Sequence, residues 1–411
     1  MAEQASFKRL KLSTFKLNAL LEITQAINEN LSISQLLKRY ETILKDELNI
    51  GKIALFKLNE QWEIILSTGL NKDDVACIDV EKDLLHIKEI SFVTSSPNEK
   101  LKNFDIIIPV ITQDTPLAFV LIGDIDEEAE GVSPTIKHLH FIQTISNVII
   151  VAIENIRLFN ESLRQEAIRK ELELASRMQN MLIPENSSLP QDRHIHFNAF
   201  YHPHFSVGGD YYDCISLSRD EVGFCIADVS GKGISAAILM SNFQANLRAL
   251  FTNKIPLDQL VIKLNERVMA SAKGEKFLTL FVGKYIISKN ELIYINGGHN
   301  PPILYEKEKK KMTMLREGCV GMGMLDRIPN IRVGECLLEE PSKLLCYTDG
   351  LVELVNEEGV EFGTANVEKH LANTRPIKQN MQEIIEAQGI LSGNQAIFDD
   401  ITILGIEIIP D

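Results

Sequence analysis

Apolar residues near the start of the chain recur at three- and four-residue steps: Leu17, Leu20, Leu21, Ile23 and Ile27, then Leu36, Leu37, Tyr40, Ile43 and Leu44. That spacing keeps one face of a helix apolar, so residues 15–48 are expected to be helical, with an interruption around Asn28-Glu29-Asn30. Strand-like runs follow at 52–58, 62–67, 105–111 and 118–123. Between 135 and 182 there is no glycine or proline, while Pro134 and Pro184 stand just outside, so one long helix is expected. Within it Ile145, Ile149, Ala152, Ile156, Phe159 and Leu163 alternate in four- and three-residue steps, the seam of a coiled coil. The register then fails. Its continuation would fall on Glu166, Lys170 and Glu173, whereas apolar residues return out of phase at Ile168, Leu172, Ala175 and Leu182. Such a phase change locally rewinds a supercoil. The alternative is that this stretch packs on its own domains and forms no dimer.

A chain of 411 residues calls for two or three domains. Its net charge of −15 argues against a general nucleic-acid binder, which needs clustered Lys and Arg to neutralise phosphates. The one basic run, Lys307 to Lys311, precedes the strand-like 312–315 and reads as a solvated hairpin turn. Six scattered cysteines without a CxxC suit buried thiols in a reducing compartment. The N-terminus lacks the long uncharged core of a signal peptide, and the densest apolar stretch, 148–153, is too short for a membrane span. A soluble, cytoplasmic protein is expected.

Four acidic motifs punctuate the second half: VGGDYYD at 207–213, ADVSGKG at 227–233, YTDG at 347–350 and FDDIT at 398–402. Each places Asp where an apolar run stops or starts. Carboxylates gathered at strand ends suggest one site for hard divalent cations, and adjacent glycines permit close backbone approach. Taken singly, each Asp could equally be a turn former or helix cap. His194-x-His196 and His202-x-His204 have the spacing that puts two rings on one strand face, but read as strand surface rather than as a zinc site.

Residues 190–408 resemble the bacterial sporulation-type branch of the metal-dependent, type 2C-like (PPM) Ser/Thr protein phosphatases. Besides the four Asp motifs, the resemblance rests on the amphipathic AAILMSNFQANLRAL, FLTLFVG at 277–283, NGGHNPP at 296–302 and DDITIL at 399–404. It implies an α+β protein whose catalytic part is a two-sheet antiparallel β-sandwich flanked by helices. It also implies two ions, Mn²⁺ or Mg²⁺: Asp228 would bridge them, the Val229 carbonyl would complete one shell, Asp349 and Asp399 would hold the second, and Asp210 would act directly or through water. Asp400 and Asp213 are further candidates, each beside a better one. Such a pair of ions activates water for in-line attack on phosphate, so no Cys or Ser nucleophile is required. The implied substrate is a phosphorylated regulatory protein such as an anti-sigma-factor antagonist. One departure concerns leaving-group protonation: Ser230 stands where eukaryotic relatives have a His, leaving bound water, Lys232 and His299 as candidates.

The first half, over about 17–155, resembles a GAF-type sensory domain in its layout of helix, antiparallel strands and helix, with IIIPVITQDTPLAFVLIG as a hairpin. No ligand motif accompanies it, so its ligand is open. The segment 175–184 resembles the helix that meets the catalytic domain in the phosphatase branch and orders its metal site, which makes 135–183 an expected dimeric linker. Two rivals remain. A GGDEF-type nucleotide cyclase matches Gly208-Gly209-Asp210 but leaves the other three motifs idle, and a degenerate phosphatase would bind phosphoproteins without turnover.

Overall fold

The computed structural model describes residues 2–29, 31–93, 99–112, 115–125, 138–204, 207–356, 359–392 and 397–410. Asn30, Gln113, Asp114, Pro134 and Thr135 lie outside them. The chain divides into two compact units, Met1–Glu166 and Ala167–Asp411.

The first unit begins with helices α1 (Ala2–Asn28) and α2 (Ile33–Thr42), the break falling where the polar triplet interrupts the apolar face. Ser32 starts α2 through a capping box: the Gln35 amide donates to Ser32 Oγ at 3.4 Å, and the Ser32 amide donates to Gln35 Oε1 at 3.0 Å. Next come β1 (Ile50–Leu58), β2 (Trp62–Thr68), the short helices α3 (Lys72–Ala76) and α4 (Val80–Asp83), then β3 (Ser91–Phe92), β4 (Ile106–Thr112) and β5 (Thr115–Ile125). These form an antiparallel sheet in the order β2-β1-β5-β4-β3. Alternation along β1 sends Ile53 and Leu55 to the helical face and Ala54 and Phe56 to the other, where Val75, Val80 and Leu84 cover them.

Helix α5 (Leu139–Asn180) belongs to both units by sequence. Ile142, Ile145, Ile149 and Ile153 are buried in the first unit's core, with Ala152 also buried. Tyr40 and Ser146 share a 2.5 Å hydrogen bond there, and Lys57 pairs with Glu154 at 2.6 Å. This corrects the seam: Ile145, Ile149 and Ala152 serve an intramolecular core, and only Phe159 and Leu163 of the expected stripe stand more than half exposed. The membrane expectation also changes. Among the described residues α5 alone is long and apolar enough to cross a membrane, with a mean hydropathy of 1.4, but half of that window is buried inside the protein, as in a core helix.

The second unit is a sandwich. Its strands are β6 (Gln191–Asp192), β7 (Ile195–His202), β8 (Tyr211–Ser216), β9 (Glu221–Val229), β10 (Leu278–Ile286), β11 (Glu291–Gly297), β12 (Ile303–Glu306), β13 (Lys311–Met314), β14 (Gly318–Cys319), β15 (Gly334–Leu337), β16 (Ser342–Tyr347) and β17 (Ile401–Ile408). One sheet runs β14-β11-β10-β9-β8, with β15 also on β11, and the other runs β13-β12-β16-β17-β7-β6. All pairings are antiparallel except β11 with β14. The basic run forms the β12–β13 turn.

Helices α6 (Ile234–Leu250) and α7 (Leu257–Ala272) pack on the first sheet through Met240, Phe243, Leu260 and Leu264. On the second sheet, Leu344, Cys346, Leu404 and Ile406 face the central core. Leu345, Tyr347, Ile401 and Ile403 face the helical layer beyond α8 (Asp349–Val352), made by α9 (Gly363–Leu371) and α10 (Ile377–Ala387). The six cysteines are free thiols: Cys214, Cys225 and Cys346 are buried as expected, but Cys319 and Cys336 are half-buried and Cys77 is exposed.

Candidate active site

The sandwich brings strand ends from both sheets to one edge. β8 and β9 pair with Tyr211 opposite Ala227, so Asp210, one residue earlier, meets Asp228, one residue later. Thr279 of β10 lies opposite Asp228 on its other side. From the second sheet, β16 ends at Tyr347 opposite Ile403 of β17, which places Thr348-Asp349 beside Asp399-Asp400. The Thr348 amide donates to the Thr402 carbonyl at 3.1 Å and extends that pairing.

Asp210 joins the two sheets. Its Oδ2 accepts from Thr348 Oγ1 at 2.9 Å and from Thr402 Oγ1 at 2.5 Å, and all three residues are buried. Burial, reinforced by Asp228 and Asp400, holds its carboxyl well above the usual range despite those two donors. Asp228 is pushed up to about 7, chiefly by burial and then by Asp349. Burial also raises Asp349, with Asp399 adding to it and Lys232 opposing. Glu353 rises too, through burial and then the charge of Asp349. These acids repel one another, an arrangement that added positive charge would relieve.

Asp400 has another occupation. Its Oδ1 accepts from the His204 amide at 2.8 Å and its Oδ2 from the Gly209 amide at 2.7 Å, so it holds His204 and Gly209 in place. A side chain on Gly208 would collide with the Asp400 carboxylate and the Tyr201 hydroxyl, which is why this position needs glycine. Asp213 is set apart from the edge. Buried, it takes Arg248 Nε at 2.8 Å and Nη2 at 3.0 Å, the Tyr211 hydroxyl at 2.6 Å and the Cys214 amide at 2.9 Å.

Ser230, the residue after β9, extends the pairing with β10: its amide donates to the Phe277 carbonyl at 2.8 Å and its Oγ accepts from the Phe277 amide at 3.0 Å. His299 is buried with Nδ1 2.8 Å from Thr279 Oγ1, and burial lowers its pKa to about 4. Among the described residues its Nε2 has no hydrogen-bond partner. It therefore backs Thr279, behind the edge. Of the strand histidines, His194 Nε2 accepts from Arg193 Nε at 2.7 Å, and His202 stacks on Phe200. Among the described residues no group of three or more His, Cys, Asp or Glu side chains is drawn closely enough to hold a metal as placed. Asp228, Asp349 and Asp399 nevertheless offer hard oxygen donors with like charge to offset, the chemistry that suits Mg²⁺ or Mn²⁺.

Sequence reasoning missed Thr348, Thr402 and Gln179. The two threonines stand inside the motifs YTDG and DDIT, so their signal was present. Gln179, buried in the last turn of α5, grips the same loop as Asp400: its Nε2 donates to the Gly208 carbonyl at 2.6 Å and its Oε1 accepts from the Gly208 amide at 3.1 Å. The Tyr212 hydroxyl adds a 2.5 Å bond to the Pro184 carbonyl.

Two antiparallel sheets between helical layers, with carboxylates from both at one edge, define the architecture of the PP2C phosphatases. The SiaA PP2C domain of Pseudomonas aeruginosa shares this fold, with a TM-score of 0.51 and 19% identity over 60% of this chain and 99% of that one. Residues 218–409 match the family model of Stage II sporulation protein E (SpoIIE). Protein IcfG of Synechocystis sp. is 28% identical over 281 residues, 61% of this chain and 43% of that protein. Phosphoserine phosphatase RsbU of Bacillus subtilis is 27% identical over 195 residues, 47% of this chain and 57% of that protein. The chain thus spans about half the length of the curated relatives it matches.

Proposed function

We propose that this chain is a Mn²⁺- or Mg²⁺-dependent phosphatase that removes phosphate from phosphoserine or phosphothreonine of a regulatory protein. The observation that carries the reading is the convergence of Asp228, Asp349 and Asp399 at one edge of a SpoIIE-type domain. The name of RsbU, a phosphoserine phosphatase, supports the reaction. Two divalent cations, held by Asp228, Asp349 and Asp399 with the Val229 carbonyl, would supply Lewis-acid activation of water and neutralise phosphate charge. Asp210, fixed by Thr348 and Thr402, orients the first-sheet side, while Asp400 and Gln179 hold the loop behind it. Ser230 is committed to the ladder, and His299 lies behind the edge. Release of phosphate from a phosphoserine protein, dependent on added Mn²⁺ and abolished by EDTA, tests the proposal; no release with either cation would refute it. The convergence also favours turnover over a degenerate binder. It gives the motifs of Asp228, Asp349 and Asp399 a shared place, whereas a GGDEF cyclase reading uses only Gly208-Gly209-Asp210 and leaves them idle.

Gln179→Ala, which frees Gly208, is expected to lower kcat about ten- to a hundredfold, the range for residues that orient ligands. Its melting temperature should shift by only a few degrees. An unchanged kcat would show that the clamp is passive.

We further propose that the substrate is an anti-sigma-factor antagonist or a similar switch protein, and that the cytoplasm, which keeps six thiols free, is its compartment. The N-terminal unit, with a sheet between helices and a smaller apolar cluster, suits a GAF-like sensor. Its output would be a dimeric α5, because Phe159, Leu163, Leu174 and Met178 each stand more than half exposed on that helix. Light scattering of the full chain should give a dimer, and Phe159→Glu with Leu163→Glu a monomer. Apolar replacements of Glu166 and Lys170, which extend the seam, should alter activity. A wild-type monomer whose activity ignores those replacements would leave α5 as a tether.

A further inference from the structure

Lys232 lies in the loop after β9, between Gly231 and Gly233, whose φ angles of 75° and 78° are in the left-handed region. This backbone carries the side chain across to the second sheet. Its Nζ is 2.9 Å from Asp399 Oδ2 and also donates to the Phe398 carbonyl. The other Asp399 oxygen, Oδ1, accepts from the Asp400 amide at 2.9 Å. Both oxygens of this carboxylate are therefore engaged, one by a fixed backbone donor and one by a flexible ammonium. Asp400 is likewise filled, but by two backbone donors that have no way to leave. Asp210 is held by two buried hydroxyls, so among the described carboxylates at this edge Asp399 is the one held by a flexible cationic side chain.

We propose that Lys232 is a built-in counter-ion that occupies Asp399 until a divalent cation displaces it, so that it sets the cation concentration at which the site fills. The inference rests on the phosphatase reading for the role of Asp399. An ammonium and a dication compete for the same oxygen, and the dication brings twice the charge to an edge where Asp349 and Glu353 also feel Lys232. Lys232 and Asp399 are each about two-fifths exposed, so displacement costs little and the released ammonium passes readily into water. The competition is thus graded rather than absolute.

Isothermal titration of the full chain with Mn²⁺, after stripping with EDTA, tests this. Lys232→Met should bind Mn²⁺ about two- to fivefold more tightly than wild type, the range set by a partly exposed ion pair. Lys232→Arg, which keeps the counter-ion, should bind as wild type does. Asp399→Asn breaks the same pair but removes the oxygen charge, and should weaken Mn²⁺ binding. In the stripped protein, amide exchange around Phe398-Asp399 should be faster in Lys232→Met than in wild type, and the difference should vanish once Mn²⁺ is saturating. Equal or weaker Mn²⁺ binding by Lys232→Met, with wild-type binding intact, overturns the counter-ion role alone. Absence of binding in wild type and variants alike, in titrations with Mn²⁺ and with Mg²⁺, overturns the phosphatase reading, and the counter-ion role falls with it.

Discussion

Asp228→Asn and Asp349→Asn are each expected to reduce Mn²⁺-dependent hydrolysis of an aryl phosphate by more than about a hundredfold, beyond the effect of changes that merely orient ligands. Asparagine keeps the shape and one oxygen but removes the charge that would hold and balance a dication. The two positions come from opposite sheets, so their joint failure would locate the chemistry at the shared edge rather than in either sheet. Removing a carboxylate also relieves the mutual repulsion that adds to burial in pushing Asp228 up to about 7. Both variants should therefore fold at least as well as wild type in EDTA. That separates lost chemistry from lost structure. Turnover within twofold of wild type in both variants would sink the phosphatase assignment.

Asp213→Ala should behave in the opposite way, with a loss of about 2–4 kcal/mol of stability and Mn²⁺ affinity within about twofold of wild type. The carboxylate is buried, and four donors converge on it: two from Arg248, the Tyr211 hydroxyl and the Cys214 amide. Arg248 is half exposed and regains water when its partner goes. The Tyr211 hydroxyl and the Cys214 amide stay in the core, and leaving them unpaired accounts for most of the cost. Thermal melts monitored by circular dichroism should show a drop of roughly 5–10 °C. A small thermal shift with a collapse of Mn²⁺ affinity would instead make Asp213 a ligand.

The contrast between these two aspartates marks what was legible in the sequence. An Asp at the end of an apolar run announces a strand end, and strand ends of a sandwich meet at its edges; Asp210, Asp228, Asp349 and Asp399 were readable on that ground. The pairing of Asp213 with Arg248, thirty-five residues away, was not, because nothing local records which helix will cross a strand. Asp400 was a further candidate beside Asp399; that its oxygens take the His204 and Gly209 amides was not legible, because those contacts span nearly two hundred residues. The strands declared themselves by alternation, and α5 by its lack of Gly and Pro. The partner of α5 did not, since a seven-residue apolar repeat is the same whether a second chain or the helix's own sheet covers it. Ile145 and Ile149 went to the sheet; Phe159 and Leu163 kept an open face.

The hydroxyl contacts from Thr348 and Thr402 to Asp210 have a mechanical meaning as well. They are neutral stitches between two sheets that otherwise meet through apolar side chains such as Leu344 and Ile406, and apolar contact resists separation without fixing lateral slip. A ligand bridging carboxylates from both sheets would act as a rivet through the same seam, and its binding free energy would add directly to the resistance of the sandwich to shear. Occupancy of the edge would thereby become a gauge of how tightly the whole sandwich is closed, and strain applied far from the carboxylates would be read there as a change in how firmly the rivet holds.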